Sequence, residues 1–279
     1  MTDRTLDPSL PFVEDAAAQA EFQARQRLLV WRERLLPVAA VIALLLIWWW
    51  AVAYFGIRPF IAPSPVAVLK VLAARFDLLM ANLLPTAIEA VLGFLLGNLT
   101  AILIATVFVQ KKLVEEAFFP IAVMINTIPV VAKAPILVLL LGNGMEPKIA
   151  IAALICFFPT LVNMTRGLRD VNPQALELMK VLSARQREIF FKLRVPNALP
   201  YLFSALKIAA STAVIGAIVG EWIGSNNGIG ALIIQATYNF DSALLYATIV
   251  VGSTFSALFF GVISYIERRV VRWNVPAAG

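Results

Sequence analysis

Six long apolar stretches constrain this chain more than any other feature of its sequence. They lie near residues 36–55, 85–109, 117–141, 149–165, 200–222 and 243–266. A helix rises about 1.5 Å per residue, so about 20 apolar residues are enough to cross a bilayer. Because the backbone inside lipid must satisfy its own hydrogen bonds, each stretch is predicted to be a transmembrane helix. The sequence therefore predicts an all-α polytopic membrane protein with six transmembrane helices.

The composition excludes most kinds of enzyme. Of the 279 residues, 61% are hydrophobic and 14% are charged, and the mean hydropathy is +0.84, far from the usage of a soluble domain. The chain has one cysteine, Cys156, and no histidine, so a disulfide within the chain, a Cys/His metal site and a histidine base are excluded. The glycine-lysine order of a phosphate-binding loop is also missing from the sequence. We predict no catalytic or metal-binding residues and no cofactor bound by this chain.

The chain divides into three parts by composition. Residues 1–35 are polar and rich in arginine, and residues 36–273 contain the apolar stretches. The apolar run Leu36–Tyr54 is long for a signal peptide and no small-residue cleavage site follows it, so we expect an uncleaved first span. The interpretation is an amino-terminal cytoplasmic segment (1–35), a transmembrane domain (36–273) and a cytoplasmic tail (274–279).

Basic residues fall mainly on one side of the predicted spans. Lysine and arginine concentrate in cytoplasmic loops of membrane proteins. Lys133 and Lys207 lie within or beside spans, so they do not indicate which side is cytoplasmic. With six spans, both termini share a side, and we predict that this side is the cytoplasm. Four basic residues fall on the other side (Arg58, Lys70, Arg75 and Lys148), against seventeen on the side of the termini: Arg4, Arg25, Arg27, Arg32, Arg34, Lys111, Lys112, Arg166, Arg169, Lys180, Arg185, Arg187, Lys192, Arg194, Arg268, Arg269 and Arg272.

The loop at about 167–199 is the most charged of the connections between spans. Asn172 is suited to cap a helix and Pro173 to occupy its first turn, so a short helix is predicted over Ala175–Leu182. Such a short helix is marginal in water alone, and a partner groove would supply the missing burial. A purely solvated loop is the alternative, which explains the basic residues but not an apolar face. The predicted face consists of Leu178, Val181 and Leu182, with Glu177 and Lys180 beside it.

The same loop resembles a docking element of a known transporter family. Glu177 is followed after six residues by a small residue, Ser183, and then by Leu193, Val195 and Pro196. This spacing is similar to the E-A-A-x-x-x-G loop, ending in I-x-L-P, by which bacterial ABC-type import permeases dock onto their ATPase. The chain departs from that pattern at Leu178 and Met179, where the family has alanines, and at Ser183, where it has glycine. The resemblance implies these ATPase-coupling residues: Glu177, Leu178, Val181, Leu182, Ser183, Leu193 and Pro196.

The resemblance extends over about residues 59–273 and implies a fold and a set of partners. An ABC importer permease has six transmembrane helices with a cytoplasmic coupling helix and lies in the bacterial inner membrane. The implied partners are an ATPase subunit that holds ATP and Mg, an extracytoplasmic solute-binding protein, membrane lipids and a second permease copy, expected to form a homodimer; no nucleic acid is implied. The stretches that carry it are APSP at 62–65, GFLLG at 93–97, Thr127 to Pro135, and Gly220-Glu221-Trp222 with Gly224, Gly228 and Gly230.

The branch resembled serves nitrate, sulfonates, taurine and pyrimidine or riboflavin-type solutes. The run FKLRVPNALPYLFSALKIAASTAVIGAIVGEWIGS is most similar to the pyrimidine-precursor and riboflavin permeases. A heteroaromatic solute is therefore the first expectation, followed by taurine, sulfonate or nitrate.

Ionisable side chains inside spans are candidates for the translocation path, since their desolvation is costly. The prolines around Lys133 favour a broken helix that turns polar groups inward, and Trp222 is suited to stack on a planar solute or to anchor at the interface. Lys207 is expected to snorkel to the cytoplasmic edge. The alternative is an internal pair of Lys133 with a glutamate that fixes packing. The candidate path residues are Glu89, Asn126, Thr127, Lys133, Glu221 and Trp222.

Two further predictions follow from the spans. Gly93 and Gly97 are four residues apart and predict a face for close helix contact.

The alternative function is a secondary carrier driven by an ion gradient through Glu89, Lys133 and Glu221. Such carriers usually contain repeated halves, whereas this sequence shows no clear repeat. The carrier hypothesis also leaves the charged loop without a role.

Overall fold

The computed structural model describes the backbone of residues 16–273 and the side chains of residues 35–273; the predicted tail 274–279 and the first 15 residues of the predicted amino-terminal segment lie outside the described residues. The regular structure of the described part is helical throughout. The helices are α1 (Ala16–Tyr54), α2 (Pro65–Ala74), α3 (Phe76–Gln110), α4 (Lys112–Thr127), α5 (Val130–Leu141), α6 (Glu146–Arg169), α7 (Pro173–Val181), α8 (Gln186–Ile189), which continues through a π-helical turn (Phe190–Arg194) into α9 (Val195–Glu221), α10 (Ile229–Tyr238) and α11 (Ser242–Val270).

Helix α1 belongs to a compact unit of its own that ends at residue 58. It contains the apolar stretch Leu35–Tyr54, which is long enough to span a bilayer, in agreement with the predicted first span. The helix begins at Ala16, within the polar segment that precedes this stretch. Near its end, the rings of Trp50 and Tyr54 stack with centroids 4.9 Å apart.

The remaining spans agree with the prediction in number, with one difference in the third. Within residues 16–273, five helices are long and apolar enough to cross a membrane, and α4 with α5 makes a sixth if the bent pair counts as one span. The predicted span over residues 117–141 is broken, as its prolines indicate, and it differs from a straight span in that the chain bends by 100° between α4 and α5. Pro129 has no N–H to donate and forces Ile128 into extended backbone, with φ −66° and ψ 126°.

A second compact unit begins at Pro59. Its core is the contact among α3, α6 and α9, where small residues let the helix backbones approach closely. A Cβ added at Gly97 would overlap the carbonyl of Ala153, and one at Gly216 would lie 2.8 Å from the Cα of Ala152. The predicted close contact at Gly93 and Gly97 is thereby confirmed. Alanines fill much of the same interface, including the buried Ala90, Ala101, Ala105, Ala152, Ala205, Ala209, Ala210, Ala213 and Ala217.

One polar bridge crosses this core. The Thr160 hydroxyl on α6 donates to the Asn98 side-chain oxygen on α3 at 2.5 Å, and the Asn98 amide donates to the Phe94 carbonyl at 2.6 Å. Both side chains are buried. Such bonds join membrane helices where hydrophobic attraction between them is weak.

Helices α4 and α5 lie at the edge of this core. Within the described residues α4 has no buried side chain, and α5 has only Ala134. The exposed apolar side chains of this pair include Leu139, at 86%, and Leu113, at 82%. This part of the chain therefore presents its apolar surface to lipid or to another subunit.

We expect Gly97→Ala to destabilise the protein by about 1–3 kcal/mol, since the new methyl group overlaps backbone that cannot move aside cheaply. Gly261→Ala is the matched control, because a Cβ there meets nothing within 4 Å and alanine favours the helix. Thermal unfolding in detergent measures both variants. Equal melting temperatures for the two would contradict the close-packing account.

Candidate functional site

The predicted coupling helix forms as α7, and its start agrees with the sequence. The Asn172 side-chain oxygen accepts from the backbone N–H of Gln174 at 2.9 Å, and Pro173 occupies the first turn. This satisfies one of the free N–H groups that a helix start exposes.

The end of α7 explains the small residue at position 183. Ser183 has φ 55°, in the left-handed region. Its N–H donates to the Lys180 carbonyl, and the Ala184 N–H donates to the Met179 carbonyl, both at 2.9 Å. These two bonds form a Schellman motif, whose left-handed position favours glycine.

The apolar face of α7 is exposed. Leu178 is 59% exposed, Val181 80% and Leu182 67%, and Glu177 beside them is exposed as well. Three large apolar side chains next to a charged residue on a helix outside the spans form a surface suited to a partner groove. We call Glu177, Leu178, Val181 and Leu182 the coupling face.

Leu193 and Pro196 occupy a different position from the other predicted coupling residues. Both are half-buried, Leu193 in the π-helical turn and Pro196 in the first turn of α9. The helical segment from Gln186 to Arg194 is continuous with the fifth span. These two residues therefore belong to the base of the loop and not to its exposed face.

The loop is tied to α9 by side chains that sequence reasoning missed. The Asn197 amide donates to the carbonyls of Gly167 at 2.9 Å and Asp170 at 2.7 Å, and the Tyr201 hydroxyl donates to the Asp170 carboxylate. Arg194 donates to the Leu168 carbonyl at 3.0 Å. About 30 residues separate these partners in sequence, so no local pattern could have indicated them.

A second tie joins the end of α6 to α4. The Arg169 guanidinium makes a two-pronged ion pair with Glu115, with one N–O distance of 2.6 Å. Paired bonds of this geometry fix orientation as well as distance. The coupling loop thus leaves α6 from a point held by both α4 and α9.

We expect Ser183→Gly to stabilise the turn after α7 by about 1 kcal/mol, since glycine adopts positive φ without the steric cost that serine bears. Hydrogen exchange at the amides of Leu182, Ser183 and Ala184 should slow accordingly. Ser183→Val is the opposite control and should speed exchange at the same amides. Unchanged exchange in both variants would contradict the left-handed turn.

A buried polar cluster lies where α3, α6 and α9 meet at the opposite end of α9. Glu89 is 0% exposed, Glu221 1% and Lys148 8%. Lys148 Nζ lies 3.3 Å from Glu89 Oε1, an ion-pair distance without hydrogen-bond geometry. The Glu221 carboxylate accepts from the Thr86 hydroxyl and from the Gly230 N–H, each at 2.5 Å. The second of these bonds satisfies a free N–H at the start of α10 with a negative charge, which the helix dipole favours.

The buried cluster of Glu89, Lys148 and Glu221 holds the glycine-rich loop between α9 and α10 in place, and we call this cluster the clamp. Lys148 Nζ donates to the Ser225 hydroxyl at 2.8 Å, and that hydroxyl donates to the Asn227 carbonyl at 2.6 Å. The Gly228 N–H donates to the Asn82 side chain at 2.9 Å. Three core helices thereby hold one loop, and Gly228, with φ 117°, faces the Glu221 carboxylate so closely that a Cβ would overlap it.

The structure corrects the predicted internal pair. Glu89 pairs with Lys148, which the sequence assigned to an outer loop, and Lys133 has no ion-pair partner within residues 35–273. Lys133 is half-buried one turn after the α4–α5 break, where Asn126 and Thr127 are exposed. Five of the six candidate path residues therefore fall into two groups, the buried glutamates of the clamp and the polar residues at the break.

Two other predicted positions lie outside the clamp. Trp222 follows α9 and is 44% exposed. Lys207 pairs with Glu267 of α11 at 2.8 Å, so its charge is compensated by an ion pair between helices. The expected snorkelling of Lys207 stays a prediction.

We expect Lys148→Met to destabilise the fold by about 3–5 kcal/mol, because Glu89 would remain as an uncompensated buried charge. Adding Glu89→Gln should recover at least half of the loss, because the double variant removes both charges. Thermal unfolding of the single and double variants in detergent measures the interaction free energy between Lys148 and Glu89. Additive losses would show that the two side chains do not interact.

Residues 93–272 match the model of the binding-protein-dependent transport system inner membrane component family. The chain belongs to this family. Members are the membrane permease subunits of ABC importers, so this permease is a multi-pass inner-membrane protein and not an enzyme. Its family implies a separate ATPase that hydrolyses ATP and a substrate-binding protein.

Individual relatives agree with the family. The permease is 34% identical to the formylaminopyrimidine transport permease protein ThiX of Halalkalibacterium halodurans, over 78% of this chain and 87% of the relative. It is 32% identical to the riboflavin transport system permease protein RibX of Chloroflexus aurantiacus, over 88% of this chain and 91% of the relative. A solved chain of the inward-facing MetNI methionine ABC transporter has the same fold, with a TM-score of 0.57, 19% identity, and coverage of 72% of this chain and 98% of that chain.

Proposed function

We propose that this permease docks onto its ATPase through the coupling face of α7. The observation that carries the proposal is the exposure of Leu178, Val181 and Leu182 on a helix that has a good cap at each end. A solvated loop would gain nothing from three exposed large apolar side chains, whereas an ATPase groove would bury them. Glu177 lies beside them and adds a charge for orientation, and Ser183 ends the helix.

The ties at the base of the loop support a mechanical role. Asn197 and Tyr201 bind the segment before α7 to α9, with Leu193 and Pro196 packed at the start of that span. A movement of α7 caused by ATP binding at the ATPase is carried by these bonds into the transmembrane helices. Both termini are cytoplasmic in this proposal, because the coupling loop lies on the side rich in basic residues.

We assign the solute path to a surface shared by two copies of the chain. Asn126, Thr127 and Lys133 lie around the break between α4 and α5, on a pair of helices with exposed apolar surface. A second copy, forming a homodimer, would enclose this surface, and Trp222 is exposed enough to contact a planar solute. Glu89 and Glu221 are instead engaged in the clamp, so their role is to hold the path and not to line it.

The proposed solute is a pyrimidine precursor or a riboflavin-type heteroaromatic compound. The names of the relatives at 34% and 32% identity support this class, with taurine, sulfonate or nitrate as the second choice. An ion-gradient carrier has no observation in its favour, because the family is driven by ATP, and Glu89 and Glu221 are engaged in contacts that hold the loop after α9.

The test of docking is co-purification of the permease in detergent with ATPase subunits from its own source. The variant Glu177→Ala with Leu178→Asp should lose the ATPase, with binding at least tenfold weaker, because it removes the charge and places a carboxylate in the apolar groove. Asp77→Ala with Leu78→Asp is the matched control, since it makes the same changes at an adjacent exposed acid and leucine at the start of α3, on the predicted outer side. Retention of the ATPase by the first variant, or equal loss in both, would overturn the proposal.

The native complex then tests the solute in proteoliposomes. ATP-dependent uptake of a labelled formylaminopyrimidine or riboflavin is expected. Uptake of taurine or nitrate with neither heteroaromatic compound transported would overturn the solute assignment and leave the docking result standing.

A further inference from the structure

A cavity of about 590 Å³ lies between the end of α3 and the π-helical turn that joins α8 to α9. Its volume is in the range of about 300–1,000 Å³ that is typical of small-molecule sites. The coupling face takes no part in its walls. The lining residues are Thr106, Val109, Gln110, Gln186, Arg187, Phe190, Phe191 and Arg194.

The charge of the lining is positive and uncompensated. Arg187 and Arg194 are the charged members, and no carboxylate belongs to the described lining. The neighbouring acid, Glu188, is already engaged, since it accepts from the Arg185 N–H at 2.9 Å and pairs with Lys192 at 3.3 Å. Arg194 uses one nitrogen on the Leu168 carbonyl, which fixes its direction and leaves other N–H groups for a ligand.

The fold holds the two arginines around one space. Phe190 packs into the buried cluster that contains Phe108 and Leu168, so the helical segment is fixed against α3. Arg187 lies just before the π-helical turn and Arg194 ends it, and both line the same cavity. The amides of Gln110 and Gln186 add neutral hydrogen-bond donors to the same cavity.

One side of the cavity continues into apolar surface. Phe191 is 66% exposed, and on α3, one turn from the lining, Leu103 is 60% exposed and Val107 is 44% exposed. A ligand that fits both surfaces has an anionic head for the guanidinium groups and an apolar tail for the helix face. A phospholipid with an anionic headgroup has both parts, and the cytoplasmic leaflet is rich in such lipids.

We propose that this cavity is a binding site for the headgroup of an anionic phospholipid of the inner leaflet. The headgroup phosphate accepts from Arg187 and Arg194, and an acyl chain lies along Phe191 and Leu103. The inference rests on the proposed cytoplasmic position of the coupling loop. A lipid bound here joins α3 to the helical segment that follows the loop, next to the coupling face but without covering it.

Native mass spectrometry of the purified permease in detergent tests the site directly. Phosphatidylglycerol should remain bound at one site, with phosphatidylcholine retained much less. Arg187→Gln should weaken phosphatidylglycerol binding about fivefold, and Arg187→Gln with Arg194→Gln about thirtyfold. Arg268→Gln is the matched control, since it removes an exposed arginine near the end of α11 on the same predicted side and should leave binding within about twofold.

Three results would overturn the proposal. They are unchanged binding in Arg187→Gln, equal retention of phosphatidylcholine, and displacement of the lipid by millimolar inorganic phosphate, which would identify a free anion as the ligand. The Arg187 residue is exposed, and its side chain makes no hydrogen bond or ion pair within residues 35–273, so its variant carries the test even if the double variant does not fold. The assay contains no ATPase, so its outcome is separate from that of the docking experiment.

Discussion

Close approach of three helix backbones is the constraint on which the second unit of this permease depends. In lipid, apolar side chains gain little from leaving one apolar environment for another, so helices associate through packing and interhelical hydrogen bonds. Gly93, Gly97 and Gly216 allow α3 and α9 to contact the backbone of α6. The Asn98–Thr160 bond is directional and helps to set the register of α3 on α6. Helices α5, α10 and α11 pack against these three helices in turn.

The buried charges have a positional role that apolar packing could not supply. A glycine-rich loop has few side chains of its own with which to pack, so its place must be fixed by bonds to its backbone. Glu221 and Asn82 accept from that backbone, and Lys148 holds the Ser225 side chain. The ion pair with Glu89 compensates the lysine at a depth where an unpaired cation would be costly. Burying these charges costs desolvation free energy, but their bonds hold the loop in one defined position.

Local signals predicted most of the fold, and long-range pairing accounts for what they missed. Hydrophobic length located the spans, and Asn172 with Pro173 located the start of α7, because these features depend on neighbours in sequence. The partner of Glu89 could not be predicted, since Lys148 is distant in sequence and lay in a segment assigned to a loop. The sequence predicted where the chain breaks between α4 and α5 but not the angle of the bend. Prolines mark the place where a helix is interrupted, whereas the angle depends on tertiary contacts.

The length of α9 gives the ties at its first turns a second meaning. The helix runs from Val195 to Glu221, and 27 residues at about 1.5 Å each make a rod of about 40 Å. Asn197 is bonded near one end and Glu221 near the other, so the two sides of the membrane are connected by a single stiff element. Such a rod converts a small tilt at the end that carries Asn197 into a displacement of the glycine-rich loop at the other end, without any chain of intermediate contacts.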